Sequence, residues 1–283
     1  MSNKNYLSIY AKSFNWAGFF LPRKIYQKCS TLYDFCRTVD NIADNEDVLD
    51  IKKKNLSVFR NDFINKNFNN LIIKNMWDLM NDHEISIKII EDLFAGVDSD
   101  LNEKVLFNGK KDLLIYSYRV AGTVGLMMAK ILNVKGKDSM IAAIDLGIAM
   151  QLTNIARDVV EDSKNNRFYI QHNFQVISNT LALADLFYES CFTSIKKIPF
   201  NFRFAILVAR RVYRKIGDKI LKTKDIETYN KTGKIYVNNL GKIYQTVLSL
   251  FDLIRLLLTT EKNYYIADEH NLIIKEIDLN ERI

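Results

Sequence analysis

Residues 151–162 read QLTNIARDVVED, and this segment decides the fold class because its polar and apolar residues alternate with a helical period. Four polar side chains share one helix face, within an arc of about 80°. They are Gln151, Asn154, Asp158 and Asp162. The other side is apolar and is expected to pack into a helical bundle. It carries Ile148, Leu152, Ile155 and Val159.

A second polar stripe lies in residues 33–44, which read YDFCRTVDNIAD. Tyr33, Arg37, Asp40 and Asp44 fall within an arc of roughly 60° on a helix. Carboxylates at i and i+4 repel by about 0.2–0.5 kcal/mol, and no basic residue stands between this pair in the sequence. Magnesium would compensate, since it binds one or two carboxylates together with substrate phosphates. Two such stripes favour facing walls of one metal-holding cavity over two unrelated solvated surfaces.

The composition favours one helical domain spanning residues 1–283. Among 283 residues only 10 are glycine and 2 are proline, and no linker-like stretch interrupts the chain. Hydrophobic residues make up 48% and aromatic residues 12%, which excludes disorder and allows an apolar interior wide enough for a long hydrocarbon. Helices are predicted over residues 23–44, 47–68, 71–80, 84–100, 112–133, 139–162, 180–197, 203–222 and 234–261. No strand pattern appears outside the tail at 271–277, which is expected to be a short helix or an irregular end.

Residues 120–125, VAGTVG, place glycines inside a predicted helix, where each costs up to about 1 kcal/mol relative to alanine. Two explanations are equally good. The glycines allow close helix packing, or they leave room for a ligand beside the backbone.

The net charge of +7 comes from scattered lysines and arginines, which are typical of solvated helix faces. A basic surface also attracts anionic lipid or diphosphate substrates. No helix-turn-helix, zinc-finger or RNA-binding signature accompanies the charge, so no nucleic-acid partner is expected. Three cysteines without CxxC spacing predict no disulfide framework and a reducing compartment.

The apolar run at 16–21 is short and is followed by Pro22, Arg23 and Lys24, so no signal peptide is expected. Charged residues interrupt the apolar stretches at 120–132 and 247–258 before they reach a membrane span. A cytoplasmic protein is expected, with at most peripheral contact at the inner face of the membrane.

Five segments together resemble the ordered motifs of the squalene/phytoene synthase family: 13–14, 33–44, 116–125, 146–162 and 167–169. The resemblance extends from Ser13 to the region of Tyr213. The chain is more similar to bacterial phytoene synthases than to squalene synthases, which carry a hydrophobic C-terminal anchor. The resemblance implies an all-α, single-domain isoprenoid-synthase helical bundle around a large central cavity.

The resemblance also implies roles for individual residues. Asp40 and Asp44 match the first metal-binding motif, and Asp158 and Asp162 match the second, which Gln151 and the further metal ligand Asn154 extend. Arg37 and Arg157 would neutralise diphosphate oxygens. Tyr116 matches a catalytic cavity tyrosine near the reacting carbons, and Arg167 with Tyr169 matches a flap over the site. The remaining expected substrate contacts are Ser13, Phe14, Tyr33 and Tyr213. Asn41 and Gln171 depart from the family pattern, which leaves substrate preference open.

The implied reaction uses Mg²⁺, with Mn²⁺ as an alternative, and joins two allylic diphosphates head to head through a cyclopropyl diphosphate. Two geranylgeranyl diphosphates would give phytoene by final proton loss, in carotenoid biosynthesis. Farnesyl diphosphate would instead give presqualene diphosphate, hydroxysqualene, dehydrosqualene or squalene, and only squalene needs NADPH. A non-catalytic assembly factor or binding module is the alternative of another class, but such a protein should have lost the aspartates that this chain keeps.

Overall fold

The computed structural model describes residues 12–259 and 268–283, and its fold is all-α, as predicted. The helices run in this order: α1 Lys12–Gly18, α2 Arg23–Asp44, α3 Leu49–Ile64, α4 Leu71–His83, α5 Ile87–Ser99, α6 Lys110–Ser117, α7 Thr123–Ile131, α8 Lys137–Lys164, α9 Phe174–Ser190, α10 Phe200–Leu221, α11 Ile226–Thr232, α12 Asn239–Leu258 and α13 Asp268–Ile274. Short 3₁₀ turns lie at Thr193–Lys197, between α9 and α10, and at Leu279–Glu281, after α13.

Two long helices form the walls that matter for function. Helix α2 starts directly after Pro22, whose fixed φ suits a helix start, and it buries Leu32, Phe35 and Val39 completely. Helix α8 lies at the centre and packs against α7, α9 and α10. Among the described helices only α8 is long and apolar enough to cross a membrane, and 72% of its apolar window is buried inside the bundle.

The apolar side predicted for α8 is confirmed. Its four residues are between 0% and 6% exposed, so they form core. They are Ile148, Leu152, Ile155 and Val159. The three cysteines are free and buried, as the absence of a disulfide pattern predicted.

Several predicted helix boundaries were wrong, and local capping explains two of them. The helix predicted at 180 begins at Phe174, because the Asn173 side chain accepts a hydrogen bond from the Gln175 backbone N–H at 2.8 Å. The helix predicted at 234 begins at Asn239, after Asn238 caps the Gly241 N–H at 2.9 Å. Its predicted end, at 261, lies outside the described residues.

The remaining differences between the predicted and the observed elements are one divided helix and several elements that were not predicted. The helix predicted over 112–133 is divided by a π-helical turn at Tyr118–Gly122. Helices α1 and α11 and two parallel strands, β1 Val105–Leu106 and β2 Arg167–Phe168, were not predicted. Each strand has two residues, too few for an alternating pattern. Their pairing fixes the segment after α8 beside the end of α5.

The structure shows close helix packing at the small-residue segment. A Cβ on Gly125 would lie 2.1 Å from the Ala143 carbonyl oxygen, and one on Gly147 would lie 2.2 Å from that of Ala121. Helices α7 and α8 therefore touch backbone to backbone, which only glycine permits at these positions. The same two glycines also line the central cavity.

Candidate active site

A cavity of about 1740 Å³ lies between α2, α8 and α10. Ordinary ligand pockets hold roughly 300–1,000 Å³, so this volume suits a very large ligand or two ligands. On α8 its lining runs from Ser139 to Asp162, a length of roughly 35 Å at 1.5 Å per residue. The lining is mainly small or apolar up to Met150 and polar from Gln151 onward. One end of the cavity therefore suits charged groups and the rest suits hydrocarbon.

Both predicted aspartate pairs line this cavity, and so do most of the other predicted site residues. Besides Asp40, Asp44, Asp158 and Asp162, these are Ser13, Phe14, Tyr33, Arg37, Gln151, Asn154, Arg157, Arg167 and Tyr213. The rings of Phe14 and Tyr213 pack with centroids 4.8 Å apart.

The first pair has two basic partners, and one of them, Arg167, was not revealed by the local sequence. The Arg167 Nη1 atom donates to Asp44 Oδ1 at 2.9 Å, and Arg37 Nη1 lies 3.7 Å from Asp44 Oδ2. Strand β2 thus brings to Asp44 a cation that lies 123 positions away in the sequence. Burial and the neighbouring Asp44 carboxylate raise the pKa of Asp40 to about 7.

In the second pair, too, one carboxylate has cationic partners and the other has a raised pKa. Asp158 accepts a hydrogen bond from Arg157 Nε at 2.8 Å, and Lys234 Nζ lies 3.7 Å from it. Lys234 was not among the predicted site residues, since it precedes α12 in an irregular segment. Burial and the Asp158 carboxylate raise the pKa of Asp162 to about 7. Each pair thus holds one neutralised carboxylate and one that is costly to ionise.

This donor set fits a hard divalent cation. The Asn154 Oδ1 atom is buried beside the second pair and has no hydrogen-bond partner, a deficit that a cation would relieve. Within residues 12–259 and 268–283, no three histidine, cysteine or acidic side chains lie close enough together to hold a metal by themselves. Ligands from a bound phosphate would have to complete the coordination, as magnesium commonly requires.

Asp100, one residue past the end of α5, is a cavity residue that the sequence did not identify. Its carboxylate accepts hydrogen bonds from Tyr116 at 2.8 Å and from Tyr169 at 2.6 Å. Burial raises its pKa. These partners lie 16 and 69 positions away, so no spacing within one helix could have revealed the cluster.

Tyr116 and Tyr169 are placed differently from what the resemblance implied. Their rings stack at 4.7 Å and are buried, and neither side chain lines the cavity. Within the part of the chain that the structure describes, the two phenol oxygens contact the Asp100 carboxylate and each other, with 2.9 Å between the phenol oxygens. Both phenols therefore donate to the Asp100 carboxylate at the cavity wall.

Replacing Asp40 by asparagine should stabilise the metal-free protein in a pH-dependent way. Because the pKa of Asp40 is raised from 3.8 to about 7, the folded state keeps a proton that the unfolded chain releases within that window. The carboxyl's contribution to the unfolding free energy is therefore full below pH 4 and is lost as pH rises through 7. Asp40→Asn should raise the unfolding free energy by about 2–4 kcal/mol at pH 8 and by much less at pH 4.

Urea unfolding in the presence of a chelator at both pH values measures this difference. Asp138→Asn, at the exposed start of α8, is the control and should change either value by less than about 1 kcal/mol, the usual contribution of a carboxylate in the first turn of a helix. An equal effect of Asp40→Asn at pH 4 and pH 8 would contradict the prediction.

Comparison with known proteins gives a consistent result. Residues 7–174 match the family described as squalene/phytoene synthase. The 15-cis-phytoene synthase of Enterobacter agglomerans is 36% identical, and the match covers 50% of this chain and 54% of that protein. The chain thus spans about half the length of this relative. The 4,4'-diapophytoene synthase of Staphylococcus haemolyticus is 29% identical, with 83% of this chain and 94% of that protein covered.

Among solved structures, a dehydrosqualene synthase in complex with a ligand superposes with a TM-score of 0.72 at 25% identity. The superposition covers 88% of this chain and 94% of that one. The helical fold is therefore shared with a dehydrosqualene synthase over most of both chains.

Proposed function

The chain belongs to the squalene/phytoene synthase family, and on that premise we propose that it joins two allylic isoprenoid diphosphates head to head. One observation carries the proposal: two aspartate pairs lie at the polar end of one cavity whose apolar lining continues along α8. Diphosphates would bind at the polar end and isoprenoid chains would fill the rest. A binding module would not need two aspartate pairs in the walls of one cavity.

Asp40, Asp44, Asp158, Asp162 and Asn154 would hold Mg²⁺, with Mn²⁺ as an alternative. When bound, the metal neutralises negative charge on the departing diphosphate. The aspartates contribute only oxygen ligands, and the substrate diphosphate supplies the ligands that the protein lacks.

Cationic side chains around this end would bind the same diphosphate. Arg37 and Arg167 lie beside the first pair, and Arg157 and Lys234 lie beside the second. Their charges are balanced by aspartates in the absence of ligand, so the site can exchange these ion pairs for contacts to phosphate oxygens. Charge stabilisation of this kind lowers the barrier to breaking the allylic carbon–oxygen bond.

The reaction would proceed through two ionisations. Loss of the first diphosphate leaves an allylic cation, which the double bond of the second substrate attacks, and loss of a proton closes a cyclopropyl diphosphate. Loss of the second diphosphate rearranges the ring, and a further proton loss gives the hydrocarbon. The faces of Phe14 and Tyr213 in the cavity wall would stabilise the cations. The apolar lining would exclude water, which would trap them as alcohols.

We propose two geranylgeranyl diphosphates as substrates and phytoene as product, supported by the similarity to 15-cis-phytoene synthases. Condensation of two farnesyl diphosphates is the second candidate. It is favoured by the diapophytoene synthase relative, 94% of which is covered by the match. NADPH would be required only if the product were squalene.

One assay series tests these proposals. The purified chain receives Mg²⁺ with geranylgeranyl or farnesyl diphosphate, with and without NADPH, and the lipid products are identified by mass. The expected result is a C40 hydrocarbon that forms without NADPH. A C30 product formed only from farnesyl diphosphate would refute the proposed substrate chain length but support the proposed head-to-head condensation. No condensation under any condition would favour the non-catalytic alternative.

A further inference from the structure

Helix α12 exposes most of its large apolar residues and buries most of its polar ones. Nine large side chains, each at least 48% exposed, lie within an arc of roughly 140° and form what we call the α12 apolar face. They are Leu240, Ile243, Tyr244, Val247, Leu250, Phe251, Ile254, Leu257 and Leu258. A helix at the surface of a water-soluble protein normally shows the opposite arrangement.

Specific polar contacts fix this orientation. Lys242, Gln245, Ser249 and Asp252 face the bundle and are at most 7% exposed. Asp252 forms a two-point ion pair with Arg211 of α10, in which Nη2 donates at 2.7 Å. The Trp16 indole of α1 donates to Thr246 at 2.9 Å. Rotating the helix to bury its apolar face would break the Trp16–Thr246 hydrogen bond and separate Asp252 from Arg211.

The apolar surface continues beyond the helix. Tyr236, just before α12, is 69% exposed, and Phe19, which lies near Asn239 and Lys242, is 71% exposed. Tyrosine side chains such as Tyr236 and Tyr244 are the type enriched where an apolar phase meets water. Such a continuous apolar patch on an otherwise charged protein marks an interaction surface.

We propose that the α12 apolar face docks the protein onto a membrane surface rich in anionic lipid. Charge decides between lipid and a second copy of this chain. Two copies would each carry a formal charge of +7 and repel each other, whereas anionic headgroups attract that charge. Arg255, at the edge of the face, and Lys196, bound to the Thr259 carbonyl at 3.0 Å, place cations at the C-terminal end of the helix. An apolar helix face flanked by cations lies in the plane of the interface without crossing the bilayer.

Docking would also bring the cavity close to lipid. Asn238, Asn239 and Lys242, at the start of α12, line the cavity wall. A water-insoluble hydrocarbon formed inside could then pass toward the bilayer. This consequence rests on the proposed function, whereas the docking itself does not.

Vesicle flotation of the full chain tests the proposal. The vesicles contain phosphatidylcholine alone or phosphatidylcholine with phosphatidylglycerol. The test variant is Val247→Glu with Leu250→Glu. The control is Val58→Glu with Leu71→Glu, on α3 and α4, where the same residue types are 51% and 60% exposed. The wild type and the control should float with the anionic vesicles. The affinity of the test variant for these vesicles should be lower by a factor of about ten or more.

Circular dichroism and condensation activity in detergent should be the same for both variants, which separates docking from the catalytic proposal. Equal flotation of the test variant and the control, or no flotation of the wild type, would overturn the proposal. It would equally be overturned if the wild type sedimented as a dimer that the test variant dissociates, since the α12 apolar face would then bind a second copy.

Discussion

Asp158→Asn is expected to lower kcat by roughly 10³-fold while leaving the helical content unchanged. Asp158 lies in the cavity wall beside Asp162 and Asn154, where diphosphate and metal would bind. The amide keeps the shape of the side chain but removes the charge, and losing one such electrostatic contact commonly costs 10²–10³ in rate, which is about 3–4 kcal/mol. Asp44→Ala, on the opposite wall, is expected to act in the same way. Steady-state kinetics with the preferred diphosphate measures both effects.

Asp138→Asn is the matched control, because it makes the same change on the same helix at an exposed position far from the cavity's polar end. It should retain the wild-type kcat. A second measurement does not depend on turnover: Mg²⁺ with inorganic diphosphate should raise the Tm of the wild type and of the control, but not that of Asp158→Asn. Wild-type activity in either aspartate variant would refute the two-wall metal site.

Gly147→Ala is expected to destabilise the fold by about 3 kcal/mol or more. The new Cβ would lie 2.2 Å from the Ala121 carbonyl oxygen, which is backbone and cannot rotate away, so α7 and α8 would have to separate. For a chain of this size, that loss should lower the Tm by roughly 6–12 °C. Thermal unfolding followed by circular dichroism measures it.

Gly217→Ala on α10 provides the comparison. There the nearest atom to the added Cβ is Leu181 Cδ2, at 3.1 Å, the end of a flexible side chain. A small rotation of Leu181 and the better helix propensity of alanine should leave the Tm close to that of the wild type. Equal effects of the two substitutions would show that the close approach of α7 and α8 is not what Gly147 provides.

Much of the site was predictable because helical geometry is local. Residues three, four, seven and eleven apart share a helix face whatever surrounds them. The polar stripes on α2 and α8 therefore followed from spacing alone, and the structure places both in one cavity. Helix α2 has the predicted ends, since Pro22 marks its start. The magnesium-holding role of the stripes remains a proposal.

Other features left no local pattern. The π-helical turn at Tyr118–Gly122 has the composition of an ordinary helix, and strands of two residues are too short to show alternation. Asp100 follows a helix as many aspartates do. Its function as a polar contact for Tyr116 and Tyr169 arises only when α5, α6 and the segment after α8 meet.

The sequence by itself determined which side chains share a helix face, and hence the all-α fold and the two aspartate pairs. The tertiary structure alone decided which faces meet. It brought Arg167 to Asp44 across 123 positions, let α7 and α8 touch at Gly125 and Gly147, and turned the polar stripe of α12 inward. The physical reason is that backbone hydrogen bonds set positions within one helix. Contacts between helices depend instead on how all their side chains pack together.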